Sequence, residues 1–225
     1  MGQLQGAWLA RAALKGLRPE RLPLAPLLRP QAIEALAMVS EELLSPRASY
    51  ALWQIDRLDE TGVELAGGGR IEAPLAYRLA KGARRIAFVV CGLDEAFGQR
   101  VSEVMAARKP RLAMALDAIG TVALFRLSDW LRARLKRKAR ELGWQVGGPM
   151  EPGMMGFGIG QQPKLLSLSG ASGLGFSITD GGMIAPGRAL GFAVGLGPNL
   201  PEWDPKLRCQ CCPSQEICAH KAGCK

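Results

Sequence analysis

The chain has 225 residues, 48% of them hydrophobic and 22% charged, with a formal net charge of +9. That content supplies a packed core and excludes wholesale disorder. No run of about 18 uncharged apolar residues occurs, which excludes a membrane-spanning helix.

Residues 1–30 read as a short apolar helical stretch followed by an extended arm. Four prolines in twelve residues (Pro19, Pro23, Pro26 and Pro30) break any helix there. Leu9, Arg11, Leu14 and Lys15 mix apolar and basic character without a compact apolar run and small-residue cleavage site. No secretory leader is therefore expected, and the localisation is read as cytoplasmic. From Gln31 to Leu44, Ile33, Leu36, Ala37, Val39 and Leu43 set among glutamates predict an amphipathic helix.

Ser49 to Leu58 predicts a strand, and Gly62 to Leu65 a second one closed by the Gly67-Gly68-Gly69 turn. Pro74 opens a short helix through Leu79. Arg85 to Cys91 is the clearest buried strand, a short apolar run ending at Gly92. Leu93 to Ala107 returns to helix. The longest helix is expected from Arg111 to Leu142, with Leu124, Leu127, Leu131, Leu135 and Leu142 on one stripe. Arg126, Arg132, Arg134, Lys136, Arg137, Lys138 and Arg140 largely occupy its other faces. They read as the solvated face of a packed helix, with a partner-docking surface as the functional alternative.

Gly147 to Gly160 is rich in glycine, methionine and proline and suits a loop whose backbone amides approach a ligand. Two strand-like segments follow, Gly175 to Thr179 and Ala189 to Gly195, bracketing Asp180 to Gly187. The net charge invites a nucleic-acid reading. The basic residues are spread along the chain, however, two Tyr and six Phe offer little for base stacking, and no nucleic-acid motif occurs. Neither nucleic acid nor a membrane is expected as a partner; a basic surface equally suits an acidic protein or an anionic cofactor.

Five of the six cysteines lie in the last seventeen residues: Cys209, Cys211, Cys212, Cys218 and Cys224, with the only histidine, His220, among them. Disulfide scaffolds spread their cysteines through a small secreted domain, and this chain does not. A clustered set reads as ligation of an iron–sulfur centre of the four-iron type, with zinc, and disulfides or unligated thiols, as the alternatives. Adjacent Cys211 and Cys212 rarely both ligate one ion, so one is spare. Cys91, at the end of a buried strand, reads as inert core. One histidine gives no sign of a Ser/His/Asp triad, and no glycine-rich loop follows the first strand as in a Rossmann-type methyltransferase.

Three stretches in order resemble the activation (reactivation) domain of cobalamin-dependent methionine synthase and its free-standing relatives. They are Leu116-Asp117-Ala118-Ile119-Gly120 continuing into Ser128-Asp129-Trp130-Leu131; Glu151-Pro152-Gly153-Met154; and Ile178-Thr179-Asp180 through Met183-Ile184-Ala185-Pro186-Gly187-Arg188-Ala189. The resemblance spans roughly residues 30–225. It implies an α+β fold, a twisted and largely antiparallel sheet flanked by helices with a long central one. It divides the chain into an arm (1–30), an activation-like domain (31–200) and a cysteine-rich tail (201–225). It also implies an accessory role in reductive reactivation of a corrinoid methyltransferase. The partners would be a corrinoid-binding protein or methionine synthase core and a low-potential electron donor. S-adenosylmethionine would lie against Pro152, Gly153, Met154, Thr179, Asp180, Met183, Ala185 and Pro186. Pro149, Met154 and Phe125 stand where the family carries arginine, tyrosine and glutamate. The alternative is a corrinoid-protein binding module with a structural metal and no S-adenosylmethionine.

Overall fold

In the computed structural model, residues 2–15, 17–18, 22 and 28–201 are described. Strand β1 (Gly2–Gln5) leads into helix α1 (Ala7–Leu14), then α2 (Arg29–Met38) and α3 (Glu41–Leu44). Strands β2 (Arg47–Asp59), β3 (Gly62–Leu65) and β4 (Gly69–Glu72) precede α4 (Pro74–Leu79) and β5 (Arg85–Gly92). Helices α5 (Glu95–Ala106) and α6 (Pro110–Arg140) come next, followed by β6 (Gln145–Val146), α7 (Gln162–Ser169), β7 (Ser177–Ile178), β8 (Ile184–Ala185) and β9 (Ala189–Gly197). At 31 residues, α6 runs about 46 Å.

The expected α+β class is what the chain adopts: a curled sheet of seven strands, ordered β4-β3-β2-β5-β9-β6, with β1 also on β2. Every pairing in it is antiparallel. The curl is written into β2. Its first half pairs β5 on one side and β1 on the other; a register shift between Ile55 and Arg57 then turns its second half onto β3.

Both faces of the sheet are covered, so its central strands need apolar side chains in both directions. In β5, Ala87, Val89 and Cys91 face a core shared with α1, α2, α5 and α6. Ile86, Phe88 and Val90 face the second core, with α4 and α7. In β9, Phe192, Val194 and Leu196 enter the first core, while Gly191 and Gly195 leave room on the other face. A β-carbon at Gly195 would lie 2.6 Å from Ala80 Cβ, so this glycine lets the end of α4 sit directly on the sheet.

Residues N-terminal to position 30 join this architecture: β1 extends β2, and Leu9, Ala10 and Ala13 of α1 are fully buried. The single helix expected over 31–44 is two. Val39 is extended, and the Ser40 hydroxyl accepts from the Leu43 amide at 3.0 Å to start α3 afresh. On α6 the stripe holds at Leu127, Leu131 and Leu135, whereas Leu142 lies beyond the helix and is 57% exposed. Among the described residues, no helix is long and apolar enough to cross a membrane.

Candidate functional site

Two of the segments singled out by sequence, the 152–157 loop and the Ser177–Ala185 hairpin, lie on the side of the sheet covered by α7, and the third lies on α6 on the opposite side. The 152–157 loop is a tight turn closed on itself. Gly153 N–H donates to Phe157 O at 2.8 Å, Phe157 N–H to Met154 O at 2.8 Å, and Met154 N–H to Glu151 O at 3.0 Å. Gly153 takes φ +99°, a conformation that side chains disfavour. Met154 turns inward: its sulfur accepts from the Glu151 amide at 3.2 Å, and its side chain packs against the second core. Pro152 is half-buried and Gly153 exposed. The loop is seated by Gly156 O, which accepts from the Leu75 amide at the start of α4 at 2.8 Å.

Thr179, Asp180 and Met183 form the tip of the β7–β8 hairpin. Thr179 N–H donates to Met183 O at 2.8 Å, and Met183 N–H to the Thr179 hydroxyl at 3.1 Å. The buried Gln162, opening α7, donates its amide to Gly182 O at 3.1 Å and fixes the tip to that helix. Thr179, Asp180 and Met183 are exposed. Ala185 pairs with Ser177, and the Ala185–Pro186 peptide is cis.

Pro186 borders a cleft of about 770 Å³ between α5 and the Pro186-Gly187-Arg188 turn, which Asp94, Glu95, Gln99 and Ser102 also line. A second cleft, of about 610 Å³, lies between Thr61, Arg70 and Glu72 on one side and Gly156, Gly158 and Gly160 on the other. The turn that contains Pro186 and the loop that follows Pro152 thus border different clefts. Met154 and Ile178 nevertheless pack on the same apolar layer.

Arg188 is the hub that sequence reasoning missed. Its guanidinium pairs with the Asp117 carboxylate, donates to the Thr121 hydroxyl at 3.0 Å and lies 5.7 Å over the Phe97 ring. Its carbonyl accepts from the Leu93 amide at 2.9 Å. One residue therefore ties the cis-proline turn to both α5 and α6, and burial lowers its pKa from the ordinary arginine value. The legible signal was an arginine placed between a proline–glycine turn and a buried strand. At the same end of the sheet, Arg47 pairs with Asp94 at 3.0 Å, donates to Leu174 O at 2.7 Å and lies over Phe176. Asp94 also caps α5 through the Ala96 amide at 3.1 Å.

Among the described residues, no group of three or more His, Cys, Asp or Glu is placed to hold a metal. Cys91 is fully buried, and desolvation pushes its thiol up to about 12. Cys209, Cys211, Cys212, Cys218 and Cys224 lie outside the described residues, as does His220.

The solved structures include one that the chain resembles over most of its length. It is the crystal structure of the MetH reactivation domain bound to AdoHcy, with a TM-score of 0.66, 12% identity, and coverage of 90% of this chain and 80% of that one. The fold is that of the MetH reactivation domain. The curled antiparallel sheet and the long α6 match that fold, as the resemblance implied. No protein family model matches the sequence, and no curated protein matches it at a significant level.

Proposed function

We propose that this chain is an accessory protein in the reductive reactivation of a corrinoid methyltransferase, of which cobalamin-dependent methionine synthase is the type. The observation that carries the reading is the MetH reactivation-domain fold, found in a chain that ends in five clustered cysteines. In the proposed reaction one electron takes the partner's Co(II) corrinoid to Co(I), which accepts the methyl group of S-adenosylmethionine and releases S-adenosylhomocysteine. Coupling an uphill reduction to an effectively irreversible methyl transfer draws it forward, and the protein's part is binding and orientation.

The donor set of the tail fits a thiolate-bound centre: five cysteines supply the four ligands that a cuboidal iron–sulfur cluster or a tetrahedral zinc requires. Four of Cys209, Cys211, Cys212, Cys218 and Cys224 would hold it. An iron–sulfur centre there would supply single electrons; zinc would be structural. The neighbour's ligand, AdoHcy, motivates the methyl donor. In this chain Thr179, Asp180 and Met183 present exposed groups for it, and the Arg188 hub keeps Pro186 and Ala185 in place.

One observation favours a second reading, a corrinoid-protein binding module without the methyl donor. The Gly153 and Met154 amides are both used inside their own turn, and Met154 faces the core. Pro149 offers no guanidinium for a carboxylate. Anaerobic purification with iron, sulfide and zinc analysis, followed by calorimetric titration with S-adenosylmethionine, separates the two. Iron with sulfide and a saturable heat of binding support the first. A metal-loaded protein that binds a Co(II) corrinoid protein but gives no heat with the methyl donor supports the second. Colourless, metal-free protein that ignores corrinoid proteins overturns both.

A further inference from the structure

Helix α6 carries an unusual charge distribution over its last four turns. From Arg126 to Arg140 there are seven cations and a single carboxylate, Asp129, so six of the chain's nine net charges sit on this stretch. Some are engaged: Arg132 pairs with Asp129 at 3.6 Å, and Arg134 lies 5.7 Å over the Trp130 ring. No carboxylate among the described residues lies within ion-pair distance of Lys136, Arg137, Lys138 or Arg140. The same face is not purely polar. A hollow of about 270 Å³ opens over Ala133, with Trp130 on one side and Lys136, Arg137 and Arg140 around the rest. Trp8, 41% exposed, leans on Trp130 at 5.3 Å and extends the apolar part onto α1.

We propose that the outward face of α6 from Trp130 to Arg140 is a docking surface for an acidic protein, one that presents an apolar side chain to the Ala133 hollow within a ring of carboxylates. Arginine and tryptophan around a small pocket are the residues that dominate protein–protein binding energy. Single-sign charge at this density attracts an oppositely charged surface and speeds its encounter. A solvated face would not need the hollow or the paired tryptophans. A nucleic acid is the poorer fit, because base stacking needs an open ring face. Arg134 already covers Trp130, and Trp8 abuts it at a tilt. The surface spans about 15 Å along the helix axis, the scale of the central cluster of a standard interface. Resting on the proposed function, the partner is the electron-donor protein, because α6 covers the sheet face opposite α7 and the Thr179–Met183 tip proposed for the methyl donor, the side that the corrinoid protein must approach.

The test uses the full chain, prepared without oxygen, and a flavodoxin as the acidic probe. Binding is measured by calorimetry for the wild type, for K136E/R137E/R140E, and for a control reversal at and just beyond the end of α4, R78E/K81E, with thermal unfolding checking each fold. The expected result is binding that weakens roughly tenfold or more as salt shortens the Debye length to about 8 Å. The α6 reversal should cost roughly tenfold or more at low salt, and the α4 reversal little. No binding, equal effects of the two reversals, or tighter binding of duplex DNA than of flavodoxin overturns the proposal. Reactivation of a Co(II) corrinoid protein driven by titanium(III) citrate tests the underlying function separately, since that reductant needs no docking. Equal rates with titanium and a selective loss with flavodoxin support the α6 surface; an unchanged flavodoxin-driven rate overturns it. If titanium drives no reactivation in the wild type, the proposed function fails while the binding arm still decides the surface.

Discussion

The ring of Phe97 on α5 lies directly against Gly120 in the middle of α6, so closely that a β-carbon at position 120 would overlap it. Phe97 is fully buried, and the Arg188 guanidinium lies 5.7 Å over its ring. A missing side chain on one helix thus sets how near α5 approaches, and with it the position of the cleft wall and of Arg188.

Gly120→Ala tests this spacing. Alanine improves helix propensity by about 1 kcal/mol, but forcing a methyl group into a filled core costs about 1–3 kcal/mol. The buried ring has little room to yield, so a net loss of about 1 kcal/mol is expected in urea unfolding. Combining it with Phe97→Leu should cost less than the two single changes together, because the smaller side chain removes the overlap. A strictly additive pair would mean that the two residues do not set the helix spacing.

Arg188 and Asp117 should be coupled modestly. The arginine side chain is 20% exposed and the aspartate 49%, so water screens the pair and the ionic part is worth about 0.5–1 kcal/mol. Arg188→Ala also removes the Thr121 hydrogen bond and the Phe97 contact, and should cost about 1–2 kcal/mol in all. Asp117→Asn should cost less. A double-mutant cycle by urea denaturation measures the pairwise part; a coupling near zero would assign Arg188 to packing alone.

How much of this was readable depends on how many faces an element buries. Strand β5 was legible because it is covered on both sides and so becomes an unbroken apolar run from Ile86 to Cys91. Strand β1 buries nothing fully and β4 only Ile71, so neither has a hydrophobic signature; backbone pairing alone defines them. The start of α7 is marked by Pro163 in its first turn and its end by Gly170 in the left-handed conformation, but its eight residues give too few turns for a clear period. The site was partly legible. Sequence reading set Asp180 to Gly187 between two strand-like segments, Gly175 to Thr179 and Ala189 to Gly195, without the short β8 at Ile184–Ala185 that makes a hairpin with β7, and nothing local revealed that Arg188 reaches α6 across 71 residues of chain, an ion pair that only the tertiary fold assembles.

Cys91 should behave as a hydrophobic residue. With its thiol pushed up to about 12 by complete burial, it holds almost no thiolate at neutral pH, where thiolate is the reactive form. In a variant with the five tail cysteines changed to serine, the native protein should take up no iodoacetamide at pH 8, and the unfolded protein one equivalent. Because the folded pKa lies above the unfolded value of about 8.5, stability should fall as pH rises past that value toward 12. Cys91→Ala should abolish this alkaline slope; rapid labelling of the native thiol would refute the burial.

Asp59 should impose the opposite dependence. One of its oxygens accepts from the Thr61 hydroxyl at 2.7 Å, the Thr61 amide at 2.9 Å, the Gly62 amide at 3.2 Å and the Arg70 guanidinium at 2.6 Å. The Thr61 hydroxyl and then Arg70 do most to hold its pKa well below the usual carboxylate range. The stabilisation is therefore complete above the unfolded value of about 3.9 and is lost as pH falls from there toward the folded value. Asp59→Asn keeps the shape but weakens the acceptor, so it should be less stable than the wild type at neutral pH. That gap should narrow steadily below about pH 4, as read from urea midpoints at successive pH values. Since Thr61 and Arg70 also wall the cleft beside Gly156–Gly160, hydrogen exchange at the Thr61 and Gly62 amides should quicken in the variant first. A gap that stays constant down to strong acid would show that these bonds do not favour the ionised carboxylate.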